Sequence, residues 1–283
     1  MRNLIERLLV FFIGLPLVLS LVVFFSQYNH LLLNLTITIF SILGAIEFRN
    51  ILIQKNLVIS VPEAAMLGAI GPVVWTLNVS LGISWRFLPA VLIAGALWIL
   101  FSRTFTTKEK LDSYINRIVA GFVVMIYPGL FMAWFIQMAV IPKAEMVILI
   151  FLLVVLLNDA AAYASGMLFG KNNKGLVAAS PGKSVAGFVG GMILSILTGI
   201  LATVFIPDAF TSTVMASVPA GAILGLAAGA AATLGDLCES ALKRSAGLKD
   251  SGILILGRGG ALDSIDSLIT AAPVYYLLYI TLF

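Results

Sequence analysis

Side chains that could bind metal ions and phosphate groups are concentrated near the C-terminus. Two groups of them recur at spacings of three or four residues, which places each group on one face of a helix, provided the helix continues that far. The first group is Asp236, Glu239, Ser240 and Lys243, and the second is Asp263 and Asp266. Their spacing predicts two charged helix faces that carry carboxylates.

The segment between the two groups is basic and rich in glycine. It contains Lys249, Asp250 and the run Gly257, Arg258, Gly259 and Gly260. Glycines that lead into a helix start let backbone N–H groups approach an anion, and hard carboxylate oxygens suit Mg²⁺. The pattern therefore favours a site for a divalent metal and phosphate. The alternative is a set of salt-bridged helix ends whose side chains reach water at a membrane surface.

A second cluster lies upstream. It comprises Asn158, Asp159, Tyr163, Gly170, Lys171 and the run 180–184, which reads SPGKS. The run resembles the end of a P-loop, but position 177 is Val and no strand precedes it, which argues against a Walker A nucleotidase. Ser180 is predicted to cap a helix, with Lys183 and Ser184 in its first turn near a bound phosphate. A capped helix with a lysine that only sets membrane topology is the alternative.

Composition restricts the class of protein. Of the 283 residues, 61% are hydrophobic and only 11% are charged, whereas soluble domains are about 25% charged. The net charge of +4 is explained by short basic loops between apolar spans, so nucleic acid is not an expected partner. The single cysteine, Cys238, excludes an intrachain disulfide and a cysteine-based metal site, and the single histidine, His30, is read as an interfacial residue.

Apolar segments of about 20 residues, the length that spans a bilayer, predict an all-α, polytopic transmembrane helix bundle. Nine spans are predicted near 5–26, 31–52, 62–80, 86–102, 117–139, 145–165, 185–206, 214–238 and 261–282. The first is interpreted as a retained transmembrane helix because it is long for a signal peptide. Residues 1–144 are expected to form a lipid-facing scaffold, and residues 145–283 to carry the chemistry.

The basic residues predict a cytoplasmic N-terminus. With that orientation, only Arg86 and Lys143 of the 17 basic residues fall on the outer side, as the positive-inside rule requires. The cytoplasmic segments hold the other 15, namely Arg2, Arg7, Arg49, Lys55, Arg103, Lys108, Lys110, Arg117, Lys171, Lys174, Lys183, Lys243, Arg244, Lys249 and Arg258.

Acids inside or at the edge of spans call for a functional explanation. An Asp at the centre of a span costs about 2.5–3.5 kcal/mol on the insertion scale. The acids concerned are Glu47, Asp159, Asp236, Glu239, Asp263 and Asp266.

A transporter with an ionisable pathway is an alternative, but it would place charges near the bilayer midplane in both halves of the chain. Here the first half offers mainly Glu47, and no internal repeat is visible.

The run Gly235–Ser267 resembles the C-terminal signature of phosphatidate cytidylyltransferases, also called CDP-diacylglycerol synthases. That signature reads S-x-x-K-R-x4-K-D, a short spacer, and then H-G-G-x-x-D-R-x-D. The matching residues are Ser240, Lys243, Arg244, Lys249, Asp250, Gly259, Gly260, Asp263 and Asp266. Upstream, NDAAAY at 158–163, FGK at 169–171 and SPGKS at 180–184 resemble other segments of the family.

Three positions depart from the family pattern. Arg258 stands where the family has His, Ser264 where it has Arg, and Ala186 where it has an acidic residue. The metal carboxylates that the resemblance implies are present, so the departures bear on catalytic efficiency rather than on metal binding. They also leave open an inactive scaffold protein as an alternative.

The resemblance implies a membrane enzyme that joins CTP to phosphatidate and releases pyrophosphate, with Mg²⁺ in a two-metal site whose second ion could be monovalent. It implies Asp236, Asp263 and Asp266 as metal ligands. The further catalytic residues are Lys243, Arg244, Lys249 and Asp250. The substrate-binding residues are Asp159, Ser180, Lys183, Ser184, Ser240, Gly257, Arg258, Gly259 and Gly260.

The resemblance also sets expectations about place and partners. The expected location is a bacterial inner membrane, with the active site facing the cytoplasm, membrane lipids as partners and a homodimer left open. A CDP-archaeol synthase and a CTP-dependent lipid kinase remain alternative enzymes. Labelled CTP distinguishes the kinase, because a kinase transfers only the γ-phosphate.

Overall fold

A computed structural model describes residues 10–84, 86–102, 104, 111–175, 177–255 and 259–283, and within them most residues are helical. The helices, numbered here in chain order, are α1 Leu15–Phe24, α2 Gln27–Ile53, α3 Val61–Leu81, α4 Phe87–Phe101, α5 Tyr114–Val140, α6 Ala144–Phe169, α7 Val185–Phe205, α8 Ser217–Ser245 and α9 Leu262–Leu282. The predicted all-α polytopic bundle is confirmed.

Seven of these helices, α2, α3 and α5–α9, are long and apolar enough to cross a membrane. The protein is therefore an integral membrane protein. Two further predicted spans, 5–26 and 86–102, contain apolar helices of 10–17 residues within the described part of the chain. Arg2, Arg7, Arg103, Lys108 and Lys110 lie outside the described residues, and the cytoplasmic N-terminus stays a prediction.

By backbone contacts the chain divides into two compact units. The first comprises Met1–Gln137 and Leu242–Ile265, and the second comprises Met138–Ala241 and Asp266–Phe283. The boundaries fall within α5, α8 and α9, so two of the predicted metal ligands, Asp236 and Asp266, belong to the second unit, and Asp263 belongs to the first. The predicted division of roles at residue 144 stays a prediction.

Small residues and one buried hydroxyl hold the first unit together. The Oγ atom of Ser41, on α2, lies 2.8 Å from the carbonyl oxygen of Gly68 and 2.6 Å from that of Pro128. A Cβ atom at Gly68 would overlap Ala45, so a glycine is needed where α3 meets α2. Small residues of this kind let helix backbones approach closely when the surrounding lipid is itself apolar.

A buried ion pair links α3 and α5 in the first unit. Arg117 donates to the Glu63 carboxylate and, at 3.0 Å, to the carbonyl oxygen of Ile99. The two charged side chains are 3% and 9% exposed. Both charges are thus shielded from water, and each depends on the other for compensation.

Replacing Glu63 by glutamine should therefore destabilise the protein strongly. The guanidinium of Arg117 would remain buried without a counter-ion, which costs about 3–5 kcal/mol. Thermal unfolding in detergent measures the effect.

The control is Asp208→Asn, which breaks the exposed Lys143–Asp208 ion pair. The hydrogen bond from Lys143 lowers the pKa of Asp208 below its usual value, but because both side chains are solvated we expect no measurable change in the melting temperature. Equal melting temperatures for the two variants would contradict this account.

The second unit uses close glycine contacts and polar side chains. A Cβ atom at Gly199 on α7 would overlap the backbone of Gly221 on α8, so these helices pack backbone to backbone. The hydroxyl of Tyr275, on α9, donates to the carbonyl oxygen of Val147 on α6 at 3.1 Å. Close packing and satisfied polar groups keep α6, α7, α8 and α9 in register, which fixes the side chains of the pocket described next.

Candidate functional site

A pocket of about 370 Å³ in the second unit contains several of the predicted site residues. Its charged and polar lining includes Asn158, Asp159, Tyr163, Lys174, Lys183, Ser184, Thr233 and Asp236. These side chains come from α6, from the loop before α7, from the start of α7 and from α8. The structure therefore places part of the upstream cluster in one pocket with Asp236, the first carboxylate of the C-terminal cluster.

Lys183 and Asp236 form an ion pair in this pocket. Both side chains are about 30% exposed, at 27% and 31%. The Oγ atom of Ser240 lies 3.4 Å from the Asp236 carboxylate, one helical turn further along α8. A partly solvated lysine beside a carboxylate can exchange that partner for a substrate phosphate, whereas the carboxylate can bind a cation.

Asn158 is the buried support of the pocket, at 1% exposure. Its Nδ2 atom donates to Thr233 at 2.9 Å, and its Oδ1 atom accepts from the Ser195 hydroxyl at 3.2 Å. Asn158 thereby joins α6 to α7 and α8, and it fixes the register of the neighbouring Asp159. The sequence analysis missed Ser195 and Thr233, because a Ser or Thr within an apolar span carries no distinctive spacing.

The predicted start of α7 at Ser180 is wrong. The helix begins at Val185, and Ser184 is its N-cap, with Oγ accepting from the backbone N–H of Gly187 at 3.1 Å. The preceding loop is folded back instead, since the N–H of Gly175 donates to the carbonyl oxygen of Pro181 at 3.1 Å. Pro181 therefore lies in a turn, and Lys183 precedes the helix rather than lying in its first turn.

Several other predicted residues of the C-terminal cluster, from Lys243 to Asp263, belong to the first unit. The segment between α8 and α9, described at residues 246–255 and 259–261, is called here the loop 246–261. Two backbone hydrogen bonds join Ile255 and Gly259, at 2.8 and 3.0 Å. Gly259 has a φ of +106°, a value that favours glycine. Gly257 and Arg258 lie outside the described residues, so their predicted roles stay predictions.

Asp263 lies in the first turn of α9 and is held by four donors. Its carboxylate accepts from the N–H groups of Ser251 and Gly260, at 3.0 and 2.7 Å, and from the Ser251 hydroxyl at 2.9 Å. Lys243 donates to it at 2.5 Å, and the side chains of Lys243 and Asp263 are 11% and 8% exposed. Asp263 thus fixes the loop 246–261 against the end of α8. The sequence analysis did not identify Ser251.

The remaining predicted residues occupy less enclosed positions. Arg244 is exposed and donates to the carbonyl oxygen of Leu248 at 3.2 Å, and Asp266 accepts from the N–H of Ser267 at 2.6 Å. Lys249 and Asp250 lie exposed on the loop, and Ser180 is partly exposed. Ser264, which stands where the family has Arg, donates to the carbonyl oxygen of Gly260 at 3.3 Å.

The described part of the chain contains no group of three or more His, Cys, Asp or Glu side chains arranged to hold a metal ion. The donors that are present still suit Mg²⁺, which commonly uses one or two carboxylates and completes its shell with water and substrate phosphates. Asp159 and Asp236 supply two carboxylates to one pocket. The metal ligands Asp236, Asp263 and Asp266 stay a prediction.

Comparison with known proteins identifies the family. The sequence model of the cytidylyltransferase family matches residues 5–282, nearly the whole chain. The chain belongs to the cytidylyltransferase family. The match covers both compact units, and it includes the pocket of the second unit and the loop 246–261.

Several curated relatives of this chain are named phosphatidate cytidylyltransferases. The one from Haemophilus influenzae is 43% identical over 124 residues, which are 43% of this chain and 41% of that protein. The one from Synechocystis is 40% identical over 124 residues, which are 44% and 40% of the two chains. The one from Mycobacterium tuberculosis is 26% identical over 230 residues, which are 76% and 67%. The chain therefore spans about two fifths of the length of the first two relatives.

Proposed function

We propose that this membrane protein makes CDP-diacylglycerol and pyrophosphate from CTP and phosphatidate. The observation that carries the proposal is the pocket lined by Lys183 and Asp236 within helices long enough to cross a membrane. Family membership and the names of the relatives support the same reaction.

In the proposed reaction, a phosphate oxygen of phosphatidate attacks the α-phosphorus of CTP. The bond from that phosphorus to the oxygen bridging to the β-phosphorus breaks, and pyrophosphate leaves with the bonding electrons. A phosphate monoester has a second pKa of about 6, so the nucleophile is largely ionised at neutral pH and needs little help from a base. What it needs is positioning and relief of repulsion between two anions.

The residues of the pocket are suited to that task. Lys183, together with Lys174, would neutralise phosphate charge, while Asp159 and Tyr163 lie one helical turn apart on α6 and line the same pocket. We assign the nucleotide to this pocket. The further catalytic residues of the proposal belong to the first unit, and they are Lys243, Arg244, Lys249, Asp250 and Asp263.

Mg²⁺ is the proposed cofactor, held by Asp236, with Asp263 and Asp266 as the further predicted ligands. When bound, the ion would stabilise negative charge on the reacting phosphates. The lysine that now neutralises Asp236 would then be free to contact the substrate. A two-metal site and a monovalent second ion are parts of the same proposal.

The proposed location is a bacterial inner membrane with the site facing the cytoplasm. The one-sided distribution of lysine and arginine supports this orientation. CTP would then enter from the cytoplasm, and the acyl chains of phosphatidate would enter sideways from the inner leaflet. Membrane lipids are the remaining proposed partners, and a homodimer is open to direct measurement of the molecular mass in detergent.

Purified protein, Mg²⁺ and CTP tritiated in the cytosine base test the reaction. We expect tritium in the lipid fraction only when phosphatidate is present, and loss of that signal when a chelator removes the divalent ion. Diacylglycerol in place of phosphatidate should give no labelled lipid. Labelling of an archaeol-type ether lipid with no labelling of phosphatidate would contradict the proposed substrate.

A further inference from the structure

Glu47 is a buried acid far from the motif residues in sequence. It lies on α2, within a candidate membrane span, and is 8% exposed. An acid in that environment is costly unless its partners compensate for the loss of water. Its hydrogen-bond partners therefore indicate what the residue does.

The Glu47 carboxylate contacts the segment that presents Asp263. Its Oε2 atom accepts from the N–H of Leu262 at 2.8 Å and from the Ser251 hydroxyl at 3.0 Å. Ser251 lies 204 residues and Leu262 lies 215 residues from Glu47 in the chain. Glu47 thus connects α2 to the loop 246–261 and to the first turn of α9.

Two glycines allow this contact. A Cβ atom at Gly252 or at Gly260 would overlap the Glu47 carboxylate, closer than packed atoms permit. The sequence analysis assigned Gly260 to close approach of a phosphate. In the structure, Gly260 makes room for the carboxylate of Glu47 and also donates its N–H to Asp263.

Ser251 couples Glu47 to Asp263. Its Oγ atom lies 3.0 Å from the Glu47 carboxylate and 2.9 Å from the Asp263 carboxylate. A hydroxyl has only one proton to donate, so it can serve one of the two carboxylates at a time. The backbone N–H of Leu262 is therefore the donor that ties Glu47 to α9 regardless of where the Ser251 proton points.

We propose that Glu47 is a positioning residue, which holds the loop 246–261 and the start of α9 so that the Asp263 carboxylate keeps its direction. The catalytic consequence rests on the proposed function, whereas the structural consequence does not. In this proposal Glu47 acts through its hydrogen bonds and not through its charge, because both contacts need only an acceptor oxygen.

Two variants separate the hydrogen bonds of Glu47 from its charge. Glu47→Gln keeps an oxygen that can accept from Leu262 and Ser251, but it removes the charge. Glu47→Ala removes the acceptor. The control is Thr36→Ala on the same helix, since the Thr36 hydroxyl donates to the carbonyl oxygen of Leu32 one turn earlier in α2.

The first measurement is hydrogen–deuterium exchange of peptides covering residues 246–263 in detergent. We expect exchange to be about tenfold faster or more in Glu47→Ala, because the loop opens more readily once its anchor is lost. Glu47→Gln and Thr36→Ala should exchange at the wild-type rate in these peptides. Unchanged exchange in Glu47→Ala would overturn the proposal.

The second measurement is steady-state cytidylyl transfer. Loss of a supporting hydrogen-bond partner typically costs 10–100-fold, so we expect kcat of Glu47→Ala to fall by about that factor, with KM for CTP within about threefold of wild type. Glu47→Gln should retain most of the activity. Equal loss in the Gln and Ala variants would overturn the proposal by assigning the effect to charge. If the wild-type protein transfers no cytidylyl group, the proposed function fails, and the exchange measurement alone decides the role of Glu47.

Discussion

Replacing Asp263 by asparagine is expected to reduce cytidylyl transfer by about 10³-fold, the scale seen when one preorganised electrostatic group is removed from an active site. The carboxylate accepts from Lys243, from Ser251 and from the N–H of Gly260. An amide cannot compensate the lysine charge or bind a cation as well as a carboxylate does. The measurement is kcat at saturating CTP and phosphatidate.

A double variant separates catalysis from folding at this site. In Asp263→Asn alone, the nearly buried ammonium of Lys243 loses the Asp263 carboxylate, which destabilises the protein as well. Adding Lys243→Gln restores charge balance and should recover much of the melting temperature. Activity should stay low in the double variant if the carboxylate or the lysine takes part in the reaction. Recovery of activity together with stability would reduce Asp263 to a structural role.

Replacing Lys183 by methionine is the second prediction with a large effect. Lys183 lines the pocket of the second unit and pairs with Asp236. Methionine keeps a similar length but removes the positive charge that would meet the phosphates of CTP. We expect kcat/KM for CTP to fall by about 10²–10³-fold, and the melting temperature to change little because both partners are partly solvated.

The matched control for Lys183 is Lys55→Met. Lys55 lies exposed in the turn after α2 and is also on the predicted cytoplasmic side. A charge change there should leave kcat/KM unaltered. Lys183→Arg should recover part of the activity, since a guanidinium also binds phosphate but with a different geometry. Wild-type kinetics in Lys183→Met would exclude this lysine from the nucleotide site.

The sequence predicted the fold class and most helix positions because apolar length is a strong signal in membrane proteins. The helix that carries Asp236 does continue through Lys243, as the spacing required. Whether a short apolar helix crosses the membrane was harder to predict. Phe87–Phe101 has only 15 residues, and hydropathy alone does not tell whether such a segment spans the bilayer.

The local structure around Ser184 could not be predicted in the same way. Ser180 and Ser184 are both good capping residues, and Pro181 favours a helix start as much as a turn. Hydrogen bonds of the folded loop determine that Ser184 is the N-cap. The carbonyl oxygen of Asn173 accepts from the N–H of Val185, and that of Pro181 accepts from the N–H of Gly175. No spacing rule contains that information.

Glu47 shows both what the sequence could tell and what it could not. Its type and its position within a span marked it as a residue that needed a partner. The partners, Ser251 and the N–H of Leu262, lie more than 200 residues away, so only the folded chain reveals them. The same holds for Asn158, whose network depends on hydroxyls from two other helices.

The most direct test of the proposed function compares CTP labelled with ³²P at the α-position and at the γ-position, in parallel reactions with phosphatidate and Mg²⁺. We predict that the α-label enters the lipid and that the γ-label is recovered in pyrophosphate, both at the same rate and both lost in Asp263→Asn. Entry of the γ-label into the lipid without the α-label would show phosphate transfer instead, and it would contradict a cytidylyltransferase.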